Sequence, residues 1–181
     1  MTEEEVIQRC QAGDRDAFRS LVDRYKDVLY GTAYLMTGSR TDAEDQVQEA
    51  FISAWKGIAG FRNGRPIKPW LVRILVNKAL SHRRANNNTI PSTSVDHIAD
   101  TASPDTVLSV EQQDEIERAL CGLPEEQRQV ILLRYFTGLS FAETSVVLGR
   151  RDGTVKSQAH RALERLKELI EANNEDNGRT K

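Results

Sequence analysis

Long apolar runs, cysteines and an overall charge are what this 181-residue chain lacks, and each shortage removes a class of protein. No run approaches the roughly 20 apolar residues that cross a bilayer. Met1 to Glu5 is acidic where a secretory leader is basic and then apolar, so a cytoplasmic protein without membrane insertion is expected. The two cysteines, Cys10 and Cys121, lie far apart in helix-like segments and indicate neither a disulfide framework nor a zinc site. Both are expected to be small buried hydrophobes. His82, His97 and His160 have no metal-ligand spacing with acids, and Asp96-His97 has no nucleophile beside it. With no glycine-rich phosphate loop either, the chain reads as no enzyme, with no catalytic residue, cofactor or metal.

The formal net charge of −2 hides an alternation of sign. Residues 1–60 hold 11 acids and 7 bases, whereas residues 61–86 hold no acid and seven bases. Residues 87–127 return to nine acids against Arg118 alone, and residues 128–167 to eight bases against three acids. Two basic segments separated by an acidic one suit two contacts with a polyanion, joined by a connector that the polyanion repels. Charged helix faces that are merely solvated are the plain alternative for each segment.

Composition also divides the chain. Asn86 to Ser109 contains Asn86-Asn87-Asn88, Pro91, Pro104 and many Ser and Thr, without a sustained apolar period, which reads as a flexible linker. On either side the periodicity is helical and no clustered β-branched alternation occurs, so the fold class is all-α: two small helical domains. In the first half, Phe18, Leu21, Val22, Tyr25, Val28, Leu29, Ala33 and Met36 recur at helical steps in a helix pair or one long helix ending at Thr37-Gly38. Thr41 with Glu44 forms a capping-box pattern opening the next helix. Its inner stripe is Ala43, Val47, Ala50, Phe51, Ala54 and Ile58, and its polar side carries Asp45, Gln48, Glu49 and Lys56.

Phe61 to Trp70 packs two prolines, a glycine, two aromatics and three bases into ten residues, a basic loop feeding a helix that has Pro69 in its first turn. Bases beside aromatics suit phosphates and unpaired bases. Trp70 is expected as a core anchor, which leaves Phe61, Arg62, Asn63, Arg65 and Lys68 as candidates for nucleic acid. On the helix that follows, Arg73, Asn77, Lys78 and Arg84 point away from its apolar side.

The second half is sharper. Pro124 with Glu125 and Glu126 starts a helix that continues to Thr137-Gly138, and Ser140 with Glu143 is a capping box opening a short helix closed by Gly149. A longer helix then runs from Gly153 or Thr154 to about Ala172. Short helix, tight turn and longer helix make a helix-turn-helix, although an αα-hairpin without DNA has the same pattern. Val155, Ala159, Ala162, Leu163 and Leu166 form the inward stripe, leaving Thr154, Lys156, Ser157, Gln158, His160 and Arg161 for other directions. Gln158 and Arg161 suit base edges; Lys156, Arg150 and Arg151 suit phosphates.

Four segments together resemble the extracytoplasmic-function sigma factors: Thr41 to Trp55, Pro69 to Asn77, Leu123 to Phe136 and Gly153 to Ser157. They follow one another in the family's order across nearly the whole chain. The resemblance implies a sigma-2 domain over residues 1–86, a linker over 87–108, a sigma-4 domain over 109–172 and a disordered tail over 173–181. It implies docking of core RNA polymerase on Asp42, Asp45, Gln48, Glu49 and Lys56 through the beta-prime clamp helices, with the beta flap meeting sigma-4. The basic loop and the helix from Trp70 to Arg84 would melt and read the minus-10 element, and the helix-turn-helix would read the minus-35 element. An anti-sigma factor is implied as a further partner. Many members have Arg where this chain has Gln158, and Pro or Ser where it has Arg151, so the resemblance carries no promoter sequence. A stand-alone helix-turn-helix regulator would account for residues 120–172 only.

Overall fold

The computed structural model describes the backbone of residues 2–86 and 110–178, and the side chains of residues 2–82 and 115–172. The expected linker over 87–108 and the Arg84 side chain lie outside these described residues. Every described element is helical, and the chain divides into two compact units, one within Met1–Ser92 and one within Thr93–Lys181.

The first unit comprises α1 (Glu3–Gln11), α2 (Arg15–Thr37), α3 (Arg40–Gly57), a 3-10 turn (Ile58–Gly60) and α4 (Ile67–Asn86). The helical steps from Phe18 to Met36 belong to one uninterrupted helix, because no glycine or proline before Gly31 offers a break and Gly31 itself is buried in the packed face. The starts of α1, α2 and α3 each have a side-chain cap, which satisfies amides that the helix leaves open. Thr2 and Glu5 form a reciprocal capping box on α1, and the Asp14 carboxylate accepts from the amides of Asp16 and Ala17, both at 3.0 Å. Those amide bonds, with the adjacent Arg9 guanidinium, hold the Asp14 carboxyl below its ordinary range. The cap of α3 is Ser39, whose hydroxyl accepts from the Asp42 amide at 3.2 Å, and not Thr41 as expected. Gly38 ends α2 in the left-handed conformation at φ 69°, so the chain has already turned when it reaches Ser39 and Thr41 lies inside the next helix.

Packing follows the apolar stripes. α2 lies against α3 and α4, and α3 against α4, burying Leu21, Leu29, Ala33, Ala43, Val47, Ala50, Ala54, Leu71, Val72, Leu75 and Val76. Burial of each leucine contributes about 1.5–3 kcal/mol. The small residues of α3 allow its axis to approach the neighbouring helices closely. α1 runs along α2, tied by the Tyr25 hydroxyl donating to Glu3 Oε1 at 2.5 Å and by Arg24 at 3.5 Å from the same carboxylate. Burial, and then the Glu3 carboxylate, push the Tyr25 phenol up to about 12.

The second unit comprises α5 (Val110–Cys121), α6 (Glu125–Ile131), a π turn (Leu132–Phe136), α7 (Phe141–Leu148) and α8 (Asp152–Gly178). α8 is the organising element, packing against α5, α6 and α7. The helix expected to run regularly to Thr137 widens into the π turn at Leu132, where the Thr137 amide reaches back to the Leu132 carbonyl at 3.0 Å. The backbone of α8 continues to Gly178, past the end expected near Ala172, because no glycine or proline interrupts Asn173 to Asn177. Two further expectations change. Leu163 is 44% exposed: it sits off the stripe of Val155, Ala159 and Ala162 that faces the core. Cys10 is buried, but Cys121, the last residue of α5, is exposed and packs in no core.

Candidate nucleic-acid interface

In the second unit the turn between α7 and α8 is built from its ends. Ser140 Oγ accepts from the Glu143 amide at 3.2 Å while Glu143 Oε2 accepts from the Ser140 amide at 2.8 Å, which fixes the start of α7. Gly149 closes α7 at φ 64°, and a side chain there would be strained. Val155 and Ala159 then pack with Val130 of α6, flanked by Phe141 and Leu148 of α7. These contacts lock the roll of α8 about its axis and so decide which side chains its first turns present. Arg151, Thr154, Lys156, Ser157, His160 and Arg161 are exposed, as the sequence predicts. Lys156 is paired with Asp152 at 2.7 Å and His160 lies 3.4 Å from Glu164, both at the surface.

Arg150 and Gln158 are held differently. The Arg150 guanidinium donates to Gln158 Oε1 at 3.1 Å and to Gln129 Oε1 at 3.0 Å, and lies 3.4 Å from the Glu126 carbonyl. Gln158 Nε2 donates to Glu126 Oε2 at 2.8 Å, and Gln129 Nε2 to Glu125 Oε1 at 3.0 Å. Arg150 and Gln158, expected at a phosphate and a base edge, thus also close a polar network from the turn onto α6. The network engages three guanidinium hydrogens of Arg150 and, on Gln158, one amide hydrogen and one lone pair, so a bidentate approach to a base by Gln158 competes with it. Sequence spacing gave no sign of it, because Glu126 and Gln129 lie on a helix 21 to 32 residues upstream.

In the first unit the basic loop leaves a buried ring and ends at a half-buried one. Phe61 is 9% exposed and tilts against Trp70, with ring centroids 5.1 Å apart. Phe61, expected among the candidate contacts, is thus packed into the core here. Trp70, expected as the core anchor, keeps part of its surface exposed and lies over Gly57, where an added Cβ would meet the indole at 3.4 Å. Between them Arg62, Asn63 and Arg65 are exposed and Lys68 is half-buried. On α4, Arg73 and Asn77 face solvent, whereas Lys78 pairs with Glu49 of α3 at 3.1 Å. Arg62, Asn63, Arg65, Arg73 and Asn77 form an exposed set on consecutive elements that contains no carboxylate.

α3 carries a separate surface. Asp45, Gln48, Glu49 and Lys56 are exposed at helical steps and Asp42 is half-buried in the first turn. Ile52, 47% exposed, interrupts this polar stripe. Its position, four residues after Gln48 and three after Glu49, marks it in the sequence as out of phase with the inner stripe, yet it escaped the expected set. In the second unit Tyr135 and Val146, 53% and 60% exposed, are comparable apolar residues that sequence reasoning missed. Among the described residues no helix is long and apolar enough to cross a membrane, and no cluster of three metal-ligating side chains occurs.

Comparison with known proteins meets this geometry at both units. The family description Sigma-70 region 2 matches residues 21–89, and Sigma-70, region 4 matches residues 113–166. The chain is 36% identical to the ECF RNA polymerase sigma factor SigW of Bacillus subtilis, across 91% of this chain and 94% of that protein. It is 32% identical to the ECF RNA polymerase sigma-E factor of Escherichia coli K12, across 94% and 95%. Among solved structures it is similar to the sigma factor RpoE of Bartonella quintana, crystallised with the anti-sigma factor NepR. That similarity has a TM-score of 0.72 and 29% identity over 85% of this chain and 96% of that one. It is likewise similar to CnrH, solved with the cytosolic domain of CnrY, with a TM-score of 0.72 and 26% identity over 94% and 97%.

Proposed function

The chain belongs to the extracytoplasmic-function branch of the sigma-70 family, and from that premise we propose how its two units divide the work of starting transcription. The protein is a sigma factor; its partners are core RNA polymerase, promoter DNA and an anti-sigma factor, and it acts in the cytoplasm without catalytic chemistry of its own. The observation that carries this reading is that both family regions are present in order, each on its own compact unit.

The α3 face of Asp42, Asp45, Gln48, Glu49 and Lys56, with Ile52 among them, docks on the beta-prime clamp helices. An exposed isoleucine supplies the apolar contact, and the surrounding acids supply orientation and speed of encounter. The carboxylate-free set of Arg62, Asn63, Arg65, Arg73 and Asn77 holds the backbone of the melted minus-10 strand. Trp70 is the aromatic best placed to stack on a base there. In the second unit, α8 enters the major groove of the minus-35 element by its first turns. Arg161 and Ser157 approach base edges; Arg151 and Lys156 meet phosphates, and Thr154 and His160 flank them. Asp152 is displaced from Lys156 by a phosphate at little cost, because an exposed ion pair contributes little. The beta flap meets the second unit on another face, where Tyr135 and Val146 stand exposed.

Co-retention tests the proposal. The chain should hold core polymerase on promoter fragments that core alone does not retain. A stand-alone regulator would bind DNA equally with or without core, and that result would refute the assignment.

A further inference from the structure

α1 lies outside both family matches, which begin at residues 21 and 113, yet its last side chain reaches the start of the basic loop. Gln11 Nε2 donates to the carbonyl of Phe61 at 2.8 Å and to that of Ile58 at 3.3 Å. These two carbonyls bracket the 3-10 turn at the end of α3, which closes on itself through the Phe61 amide and the Ile58 carbonyl at 3.0 Å. Carbonyls at the end of a helix commonly lack a partner within it, although that of Ile58 already accepts from the Phe61 amide. One primary amide, with two hydrogens, serves both here, and α1 packs directly on the turn. Just beyond the clamp the ring of Phe61 is fixed against Trp70. The direction in which the chain leaves toward Arg62, Asn63 and Arg65 is therefore set from outside the loop, by a side chain about 50 residues away in sequence.

We propose that Gln11 is a positioning residue for promoter opening: by clamping the carbonyls of Ile58 and Phe61 it aims the basic loop at the separated strand. This rests on the sigma reading above. Gln11 touches no DNA; it acts through the backbone of the turn, so its loss weakens the capture of melted DNA and leaves polymerase docking and minus-35 binding as they were. Loops that bind are useful only when a rigid element presents them, and a small misplacement of contacting groups is costly.

The test uses the full chain with bacterial core RNA polymerase, at a promoter mapped with the wild-type protein. Gln11→Glu preserves the shape and replaces the donor amide by a carboxylate that repels both carbonyls; Gln11→Lys restores a donor of similar reach. Three quantities are read: affinity for core, permanganate reactivity of thymines around minus 10, and the rate of tryptic cleavage after Arg62 in the free protein. Gln11→Glu should lower opening about tenfold, the loss expected for a broken and reversed hydrogen bond, at unchanged core affinity and with faster cleavage after Arg62. Gln11→Lys should open DNA within about threefold of wild type, because a charged donor still satisfies the carbonyls. Wild-type opening by Gln11→Glu would overturn the proposal. So would equal losses in both variants together with core affinity, or loss of helix content in Gln11→Glu, since either means a role in the fold alone. If the wild-type chain initiates on no promoter, the sigma reading itself falls, an outcome distinct from any of these.

Discussion

Removing the Arg150 side chain should destabilise the second unit without removing a DNA contact, which separates two roles that a basic turn residue could have. The guanidinium satisfies Gln129 Oε1, on a residue only 4% exposed, and Gln158 Oε1 at the edge of the same network. In Arg150→Ala the buried Gln129 oxygen loses its donor, which costs about 1–3 kcal/mol. Gln158 is near solvent and keeps Glu126, so it adds little. A loss of about 2 kcal/mol lowers the melting temperature of a unit this small by about 10 °C. Lys156→Ala is the control: its pair with Asp152 joins side chains 58% and 47% exposed and contributes only about 0.3–0.5 kcal/mol. The two variants should then exchange ranks in DNA binding. Lys156→Ala loses about 0.9 from the slope of log affinity against log salt, the signature of one phosphate, and Arg150→Ala keeps the wild-type slope below its melting transition. Calorimetry on the full chain and binding titrations from 50 to 200 mM salt, a range of about fourfold, read both. If Arg150→Ala melts with wild type and flattens the slope, the network is incidental and the arginine holds a phosphate.

Two further predictions concern the first unit. The Asp14 carboxyl is held low by the Ala17 amide and by Arg9, so its contribution as the cap of α2 is complete above the ordinary value of 3.8 and is lost as pH falls through the lower, folded value. Asp14→Ala should accordingly melt below wild type at neutral pH, and the gap should close in acid; a gap independent of pH would refute the cap's role. Reversing Asp45 and Glu49 to lysine should abolish retention of core polymerase with helix content intact. Glu49 also pairs with Lys78, so a Lys78→Glu companion is the control for folding. Unchanged core binding would remove α3 as the docking surface.

The apolar periods placed the helices and the inner faces, because burial repeats at the helical step regardless of which helix lies opposite: Ala43, Ala50 and Ala54 were readable in this way. Local start and stop chemistry was readable where its partners are neighbours, as with Ser140 and Glu143. It failed at Thr41, where Gly38 had already turned the chain. The candidate site was legible as a set of exposed bases. What stayed hidden depends on contacts distant in sequence. Arg150 and Gln158 answer to α6, Phe61 and Trp70 exchange expected exposures because each ring is set by the other, and Gln11 gives no sign of the turn it clamps. Ile52 was visible as an apolar residue out of phase, and a stricter reading of the stripe would have found it.

Reconstituted transcription is the most direct test of the central claim. Core RNA polymerase, the full chain and fragmented genomic DNA are incubated with nucleotides, and the starts of the transcripts are mapped. A sigma factor with these two units should direct initiation from discrete sites that share sequence near minus 35 and minus 10, and core alone should not. Transcripts identical with and without the chain, or suppression of a second sigma factor's starts with no new ones, would contradict it.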